Sequence, residues 1–129
     1  VSLAAAEAVL SILKNDAVYE RIEDRTEQLV SGMLALAERF QRPMTINRLG
    51  SAFALYMTRH EVRDLAAAEG ADGEAYRRLV GALRAEGVLL PPGPGATAFV
   101  SNAHGAKDVE ETLAACERVL LRLHQEDLP

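Results

Sequence analysis

From Met44 to Thr58 the chain reads MTINRLGSAFALYMT, and here the spacing of apolar positions drops from the three-to-four of a helix to a period of two. Phe53, Leu55 and Met57 fall on one face, Ala52, Ala54 and Tyr56 on the other, and Leu49-Gly50-Ser51 interrupts the run where a reversal needs a residue free to take positive φ. Two antiparallel strands are expected. The amphipathic segments before and after them each need an apolar surface, which one face of such a sheet supplies.

Upstream, Leu3, Ala6, Leu10 and Leu13 recur at helical spacing with neither an initiator Met nor a cap before them, so the chain is expected to begin inside something larger. Asn15-Asp16 breaks that pattern, and Asp16 is placed to cap a second helix with the stripe Ile22, Thr26, Leu29, Met33, Leu36 and Phe40. Glu20, Glu23, Asp24, Glu27, Glu38 and Arg39 make its opposite, solvated face. Pro43 bars further helix and leads into the strands.

Beyond Thr58 a short helix is expected through Val62 and Leu65, then a break at Ala71-Asp72-Gly73. Asp72 caps a helix that buries Tyr76, Leu79, Val80 and Leu83, and Gly87 stands where a left-handed terminator belongs. Val88-Leu90 and Thr97-Val100 read as strands on either side of a rigid loop, Pro91-Pro92-Gly93-Pro94-Gly95. The last helix runs from about Ala106 to Leu123, with Val109, Leu113, Cys116, Leu120 and Leu123 on one side and Asp108 near the positive end of its dipole. The expected order is helix, helix, two strands, helix, strand, strand, helix.

Composition narrows the function classes. At 129 residues, 49% hydrophobic and 26% charged, the chain suits one domain with one core. A formal charge of -5 with no basic stripe argues against nucleic acid or an anionic membrane as partner. No apolar run approaches the ~20 residues needed to span a bilayer, and nothing resembles a signal peptide, so a cytoplasmic location is expected. The single cysteine, Cys116, excludes an internal disulfide and reads as a buried structural thiol.

Residue chemistry alone assigns no reaction. His60, His104 and His124 lack metal-ligand spacing, and no metal site is expected. The glycines of the 91–95 loop do not form a phosphate-binding motif. His104 stands just before the last helix, where hydrogen bonding to nearby backbone is the common role, and Ser101 lacks the strand-to-helix elbow of a hydrolase nucleophile.

Three motifs carry more. NRLGSAFALYMT at 47–58, GVLLPP at 87–92 and FVSNAH at 99–104, followed by a helix with Asp108-Val109, resemble the C-terminal part of glutamate-1-semialdehyde 2,1-aminomutase. That enzyme belongs to the class III aminotransferase family of fold-type-I pyridoxal phosphate enzymes. The resemblance is colinear from Val1 to about Leu123. It implies an α/β (α+β) small domain over residues 1–129, a small antiparallel sheet with helices packed on one side. It also implies that the large pyridoxal phosphate-binding domain, with the Schiff-base lysine and most phosphate contacts, lies upstream of residue 1. Lys14 and Lys107 stand outside the family's lysine motif and read as surface residues, so no catalytic or cofactor-binding residue is expected within the chain.

The resemblance further implies pyridoxal phosphate in the intact parent and none bound to the fragment, the upstream domain as partner, a homodimer when intact, and a small amino or keto acid as substrate. The fragment alone is expected to be inactive and to wall the substrate cleft with residues from Pro94 to Asn102, the candidates being Pro94, Ala96, Ala98, Ser101 and Asn102. Where aminomutases carry Gln and Glu after the Pro-Pro loop, this chain has Pro94 and Ala96. Where related transaminases place a carboxylate-clamping Arg it has Ala98. Gly105 replaces the usual Thr cap. The competing reading is a non-catalytic binding or dimer-supporting module of a larger biosynthetic protein. A free-standing helical interaction protein would leave the strand and loop motifs unexplained.

Overall fold

The computed structural model describes residues 2–14 and 16–128. Eight elements follow in order: α1 (Ser2–Leu13), α2 (Asp16–Arg39), β1 (Thr45–Leu49), β2 (Ala52–Tyr56), α3 (Leu65–Glu69), α4 (Gly73–Ala85), β3 (Ala98–Phe99) and α5 (Ala106–Glu126). The capping role expected of the Asp16 side chain falls outside the described part.

Local chemistry accounts for most element ends. The Asp72 carboxylate accepts from the amides of Glu74 and Ala75 at 3.0 and 2.9 Å and starts α4. Gly87, with φ of 87°, ends it, and the Val88 amide returns to the Leu83 carbonyl at 3.0 Å. At the end of α2 the left-handed residue is Gln41, φ 56°, two positions before the proline expected to stop the helix. The short α3 starts only after Val62: Asp64 caps it through the Ala67 amide at 2.8 Å, and Val62 is buried ahead of it. At α5 the Gly105 amide donates to the Asp108 carboxylate at 2.6 Å, half of a capping box for which glycine has no side chain.

β1 and β2 form the antiparallel hairpin expected at Gly50, with Asn47 opposite Ala54 and Leu49 opposite Ala52. β3 adds antiparallel to β2 in the order β1-β2-β3, with Phe99 opposite Ala52 and Ala98 opposite Phe53. Phe53, Leu55 and Met57 are buried under the helices with Leu29, Met33, Tyr76, Leu83, Val119 and Leu120. This is the α+β domain anticipated, with its helices on one side. On the far face, the register aligns Leu49, Ala52 and Phe99 in one row across the sheet, and Leu49 and Phe99 are 86% and 68% exposed.

Two expected strands are corrected. Val88-Leu90 forms no ladder: the Val88 amide is committed to the end of α4, and Pro91 and Pro92 have no N–H to offer. Thr97-Val100 shrinks to Ala98–Phe99, because Val100 lies opposite the hairpin turn, where its amide reaches the Ser51 carbonyl at 3.0 Å.

The buried stripe of α2 contains Thr26, whose hydroxyl donates to the Ile22 carbonyl at 2.7 Å and so enters the core satisfied. The charged face of α2 is solvated, with Glu27 paired to Arg48 at 2.5 Å and Arg39 to Glu117 at 2.5 Å. Helix α1 differs from the rest. It has the amphipathic spacing of a packed helix, yet none of its residues is buried, and Leu3, Val9, Leu10 and Ile12 face solvent.

Candidate functional site

The segment from Pro91 to His104 is held by three side chains that belong to other elements. Tyr76, fully buried in α4, donates its hydroxyl to the Pro91 carbonyl at 2.7 Å, and burial pushes its pKa upward, which keeps that proton in place. Tyr56 of β2 packs against Gly95, where φ is 74° and a Cβ would approach the ring to 2.9 Å. Glycine is required there both by backbone angle and by space. Arg25 of α2 donates to the His104 carbonyl at 2.7 Å and fixes the far end of the segment.

Within this frame Ser101 and His104 form a closed turn. The Ser101 amide donates to His104 Nδ1 at 2.9 Å, so that nitrogen carries no proton, and the Ser101 hydroxyl lies 3.0 Å from the same atom. The hydroxyl in turn accepts from the Ala103 amide at 3.3 Å. His104 therefore takes the backbone-bonded helix-entry role anticipated for it. Among the described residues no carboxylate hydrogen-bonds its ring, and the arrangement shapes the turn rather than activating a nucleophile.

The candidate wall residues do not converge on one cleft. Ala98 is half-buried and lines a cleft of about 590 Å³ with Leu29, Phe53, Val88-Pro91 and His104. Ser101 and Asn102 line a second cleft of about 490 Å³ against Val9, Ile12 and Tyr19. Pro94 and Ala96 lie on the exposed loop and border neither. Val100 touches both clefts, so the 98–102 strip forms the partition between them.

Cys116 is buried in α5, and burial pushes its thiol up to about 11, which keeps it protonated. Lys107 is 84% exposed beside Glu111 at 3.5 Å, and Lys14 is exposed at the end of α1. Neither lysine lines either of the two clefts. Among the described residues no three His, Cys, Asp or Glu side chains gather as metal ligands, and no helix is long and apolar enough to cross a membrane. Arg25 and Tyr76 hold the segment but carry no distinct sequence signal: one reads as part of a charged face, the other as part of a buried stripe.

Solved structures match this architecture. A glutamate-1-semialdehyde aminomutase from Pseudomonas aeruginosa PAO1 superposes with a TM-score of 0.75 at 25% identity, over 84% of this chain and 24% of that one. The fold is that of one domain of these pyridoxal phosphate enzymes. The FumI protein of Sphingopyxis sp. MTA144, solved in its internal aldimine form, gives 0.73 at 20% identity over 95% of this chain and 27% of its own. An omega-transaminase from Sphaerobacter thermophilus gives 0.67 at 18% identity over 83% and 24%. No family model matches the sequence. The resemblance carried by the 47–58, 87–92 and 99–104 motifs thus has its counterpart in three dimensions. The chain spans about a quarter of the length of the structures it matches.

Proposed function

We propose that this chain is the C-terminal small domain of a pyridoxal phosphate-dependent aminotransferase or aminomutase. The observation that carries the reading is the superposition on the aminomutase across most of the chain, in an architecture whose sequence motifs resemble the same family. In this reading an upstream large domain holds the cofactor and its lysine. The cofactor would supply the electron sink for the pair left on the substrate Cα when its proton is removed by a base, and this chain would supply wall and shape. The uncovered apolar residues of α1 support the reading, since docking against a larger domain removes them from water. The intact enzyme is a homodimer acting on a small amino or keto acid.

Pro94 and Ala96 on the exposed loop, and Ala98, Ser101 and Asn102 on the two sides of the 98–102 partition, meet the substrate in this reading only once the upstream domain completes the cleft. Small side chains at 96 and 98 forgo a charge-assisted hydrogen bond to a distal carboxylate, a contact of about 1.5–3 kcal/mol. A substrate with a neutral or bulkier distal group is therefore preferred, and Ala96→Glu should shift that preference in assays against a panel of amino acids and amino ketones.

The test of the reading itself is chemical trapping. The longer polypeptide carrying the upstream region is mixed with pyridoxal phosphate, reduced with borohydride and digested, and the pyridoxyl-lysine is located by mass spectrometry. A single modified lysine upstream of Val1 is expected. No stoichiometric label, or a label on Lys14 or Lys107, overturns the reading.

A further inference from the structure

Two tyrosines support the 91–96 loop, and their hydroxyls are used differently. Tyr76 approaches from the helix side, is fully buried, and donates its hydroxyl to the Pro91 carbonyl at 2.7 Å. Tyr56 belongs to the other face of the sheet, because Phe53, Leu55 and Met57 enter the core and Ala52, Ala54 and Tyr56 alternate with them. Tyr56 is half-buried, and its hydroxyl makes no hydrogen bond to any described residue and is not closed off from solvent. Gly95 lies against this ring: a Cβ there would meet Cε1 at 2.9 Å, the hydroxyl oxygen at 3.4 Å and Cζ at 3.5 Å. With φ of 74° position 95 favours glycine, so the phenol takes up the room of the side chain that this position lacks. On either side in sequence stand Pro94 and Ala96, and neither side chain has a hydrogen-bonding group.

We infer that Tyr56 is a specificity-determining residue of the proposed enzyme, its phenol hydrogen-bonding an uncharged polar group at the distal end of the amino or keto acid substrate. The inference rests on the proposed function, in which Pro94 and Ala96 meet the substrate once the upstream domain completes the cleft. With proline at 94 and alanine at 96 and 98, these positions offer no charged clamp for a carboxylate, and the phenol is the hydrogen-bonding group that stands between the first two of them. A phenol both donates and accepts, so it suits a hydroxyl, an amide or a carbonyl, each of which loses water on entering a closed cleft and needs a partner there. The ring is braced for this use, since Tyr56 pairs with Thr45 in the β1–β2 ladder and Gly95 covers part of it. Supporting the loop requires only the ring, whereas recognition requires the oxygen, and the two roles therefore separate chemically.

Tyr56→Phe keeps the ring and removes the oxygen, and it is made in the longer polypeptide carrying the upstream region. Amino-group transfer is measured with two pairs of donors, homoserine with norvaline and δ-hydroxynorvaline with norleucine, within each of which a hydroxyl replaces a methyl group. In the better-used pair, kcat/KM for the hydroxyl-bearing donor should fall about 10-fold in the variant, while the value for its methyl counterpart changes less than about 2-fold. Equal losses within both pairs, as loop support alone would give, or no loss in either, overturn the inference. A second readout needs no turnover. Tyrosine labelled with ¹³C at Cζ is incorporated into the longer polypeptide, the Tyr56 resonance is identified by its absence from Tyr56→Phe, and the same donors are added with pyridoxal phosphate present. A hydroxyl-bearing donor should shift that resonance and its methyl counterpart should not, whereas identical responses within both pairs overturn the inference. Borohydride trapping of an upstream lysine with no difference between hydroxyl and methyl sinks the role of Tyr56 alone. A hydroxyl-dependent shift without trapping sinks the enzymatic reading and leaves Tyr56 as a ligand contact.

Discussion

The side chain of Leu113 occupies the space where a Cβ on Gly32 would have to lie, with both of its methyl carbons 2.7 Å from that position. This notch sets how closely α2 and α5 approach. A helix-interior glycine ordinarily weakens a helix by ~0.5–1 kcal/mol relative to alanine, so its presence in α2 is offset by the packing it permits.

Gly32→Ala should therefore lower stability by about 1 kcal/mol, as overpacking outweighs improved helix propensity. In a Leu113→Ala background the same substitution should raise stability by up to about 1 kcal/mol, because nothing then opposes the propensity gain. Urea denaturation of the four proteins of this cycle measures the coupling, and additive effects would contradict the notch.

Gln41→Gly should stabilise the protein by about 0.5–1 kcal/mol. Gln41 holds φ at 56° to let the Arg42 amide reach the Ala37 carbonyl at 2.7 Å, a backbone region that glycine occupies without the steric cost borne by an L-residue. Thermal denaturation reads the change directly, with Gln41→Ala as the control expected to gain nothing.

Asp127, just past α5, pairs with Arg42, just past α2, at 2.6 Å and with Arg78, in the middle of α4, at 3.0 Å. Hydrogen bonds from those two guanidinium groups hold its carboxyl below the usual carboxylate range. A depressed folded pKa makes the stabilisation present above the unfolded value of ~3.9 and lost as pH falls through the folded value. The stability curves of the native protein and Asp127→Asn should thus differ at neutral pH and converge in acid, below about pH 4. Curves that stay parallel down to about pH 2 would show that the ion cluster contributes nothing.

Much of this fold is legible in the sequence because each element states its own period and its own stop. Asp72, Gly50 and Gly87 do locally what their residue types favour, and the alternation of Phe53, Leu55 and Met57 names the buried face of the sheet. Strand pairing is less legible. Val88-Leu90 has a strand's composition, but a ladder also needs an available partner, and that depends on where the α4 terminus and the two prolines leave the amides. Gln41 does not stand out as a terminator because Pro43 offers a stronger signal two residues on. In the 91–104 segment the sequence marks the residues but not their directions. Ala98 and Asn102 are four positions apart and open onto different clefts, a division set by the tyrosines and the arginine that grip the segment.

A spectroscopic titration decides whether the cofactor chemistry proposed above resides outside this chain. The isolated chain and the longer polypeptide are each titrated with pyridoxal phosphate while the visible absorbance of lysine-bound cofactor is followed. A saturable, one-to-one band is expected for the longer polypeptide and none for the isolated chain. A stoichiometric band in the isolated chain that disappears in Lys14→Ala or Lys107→Ala, or no band in the longer polypeptide, would contradict it.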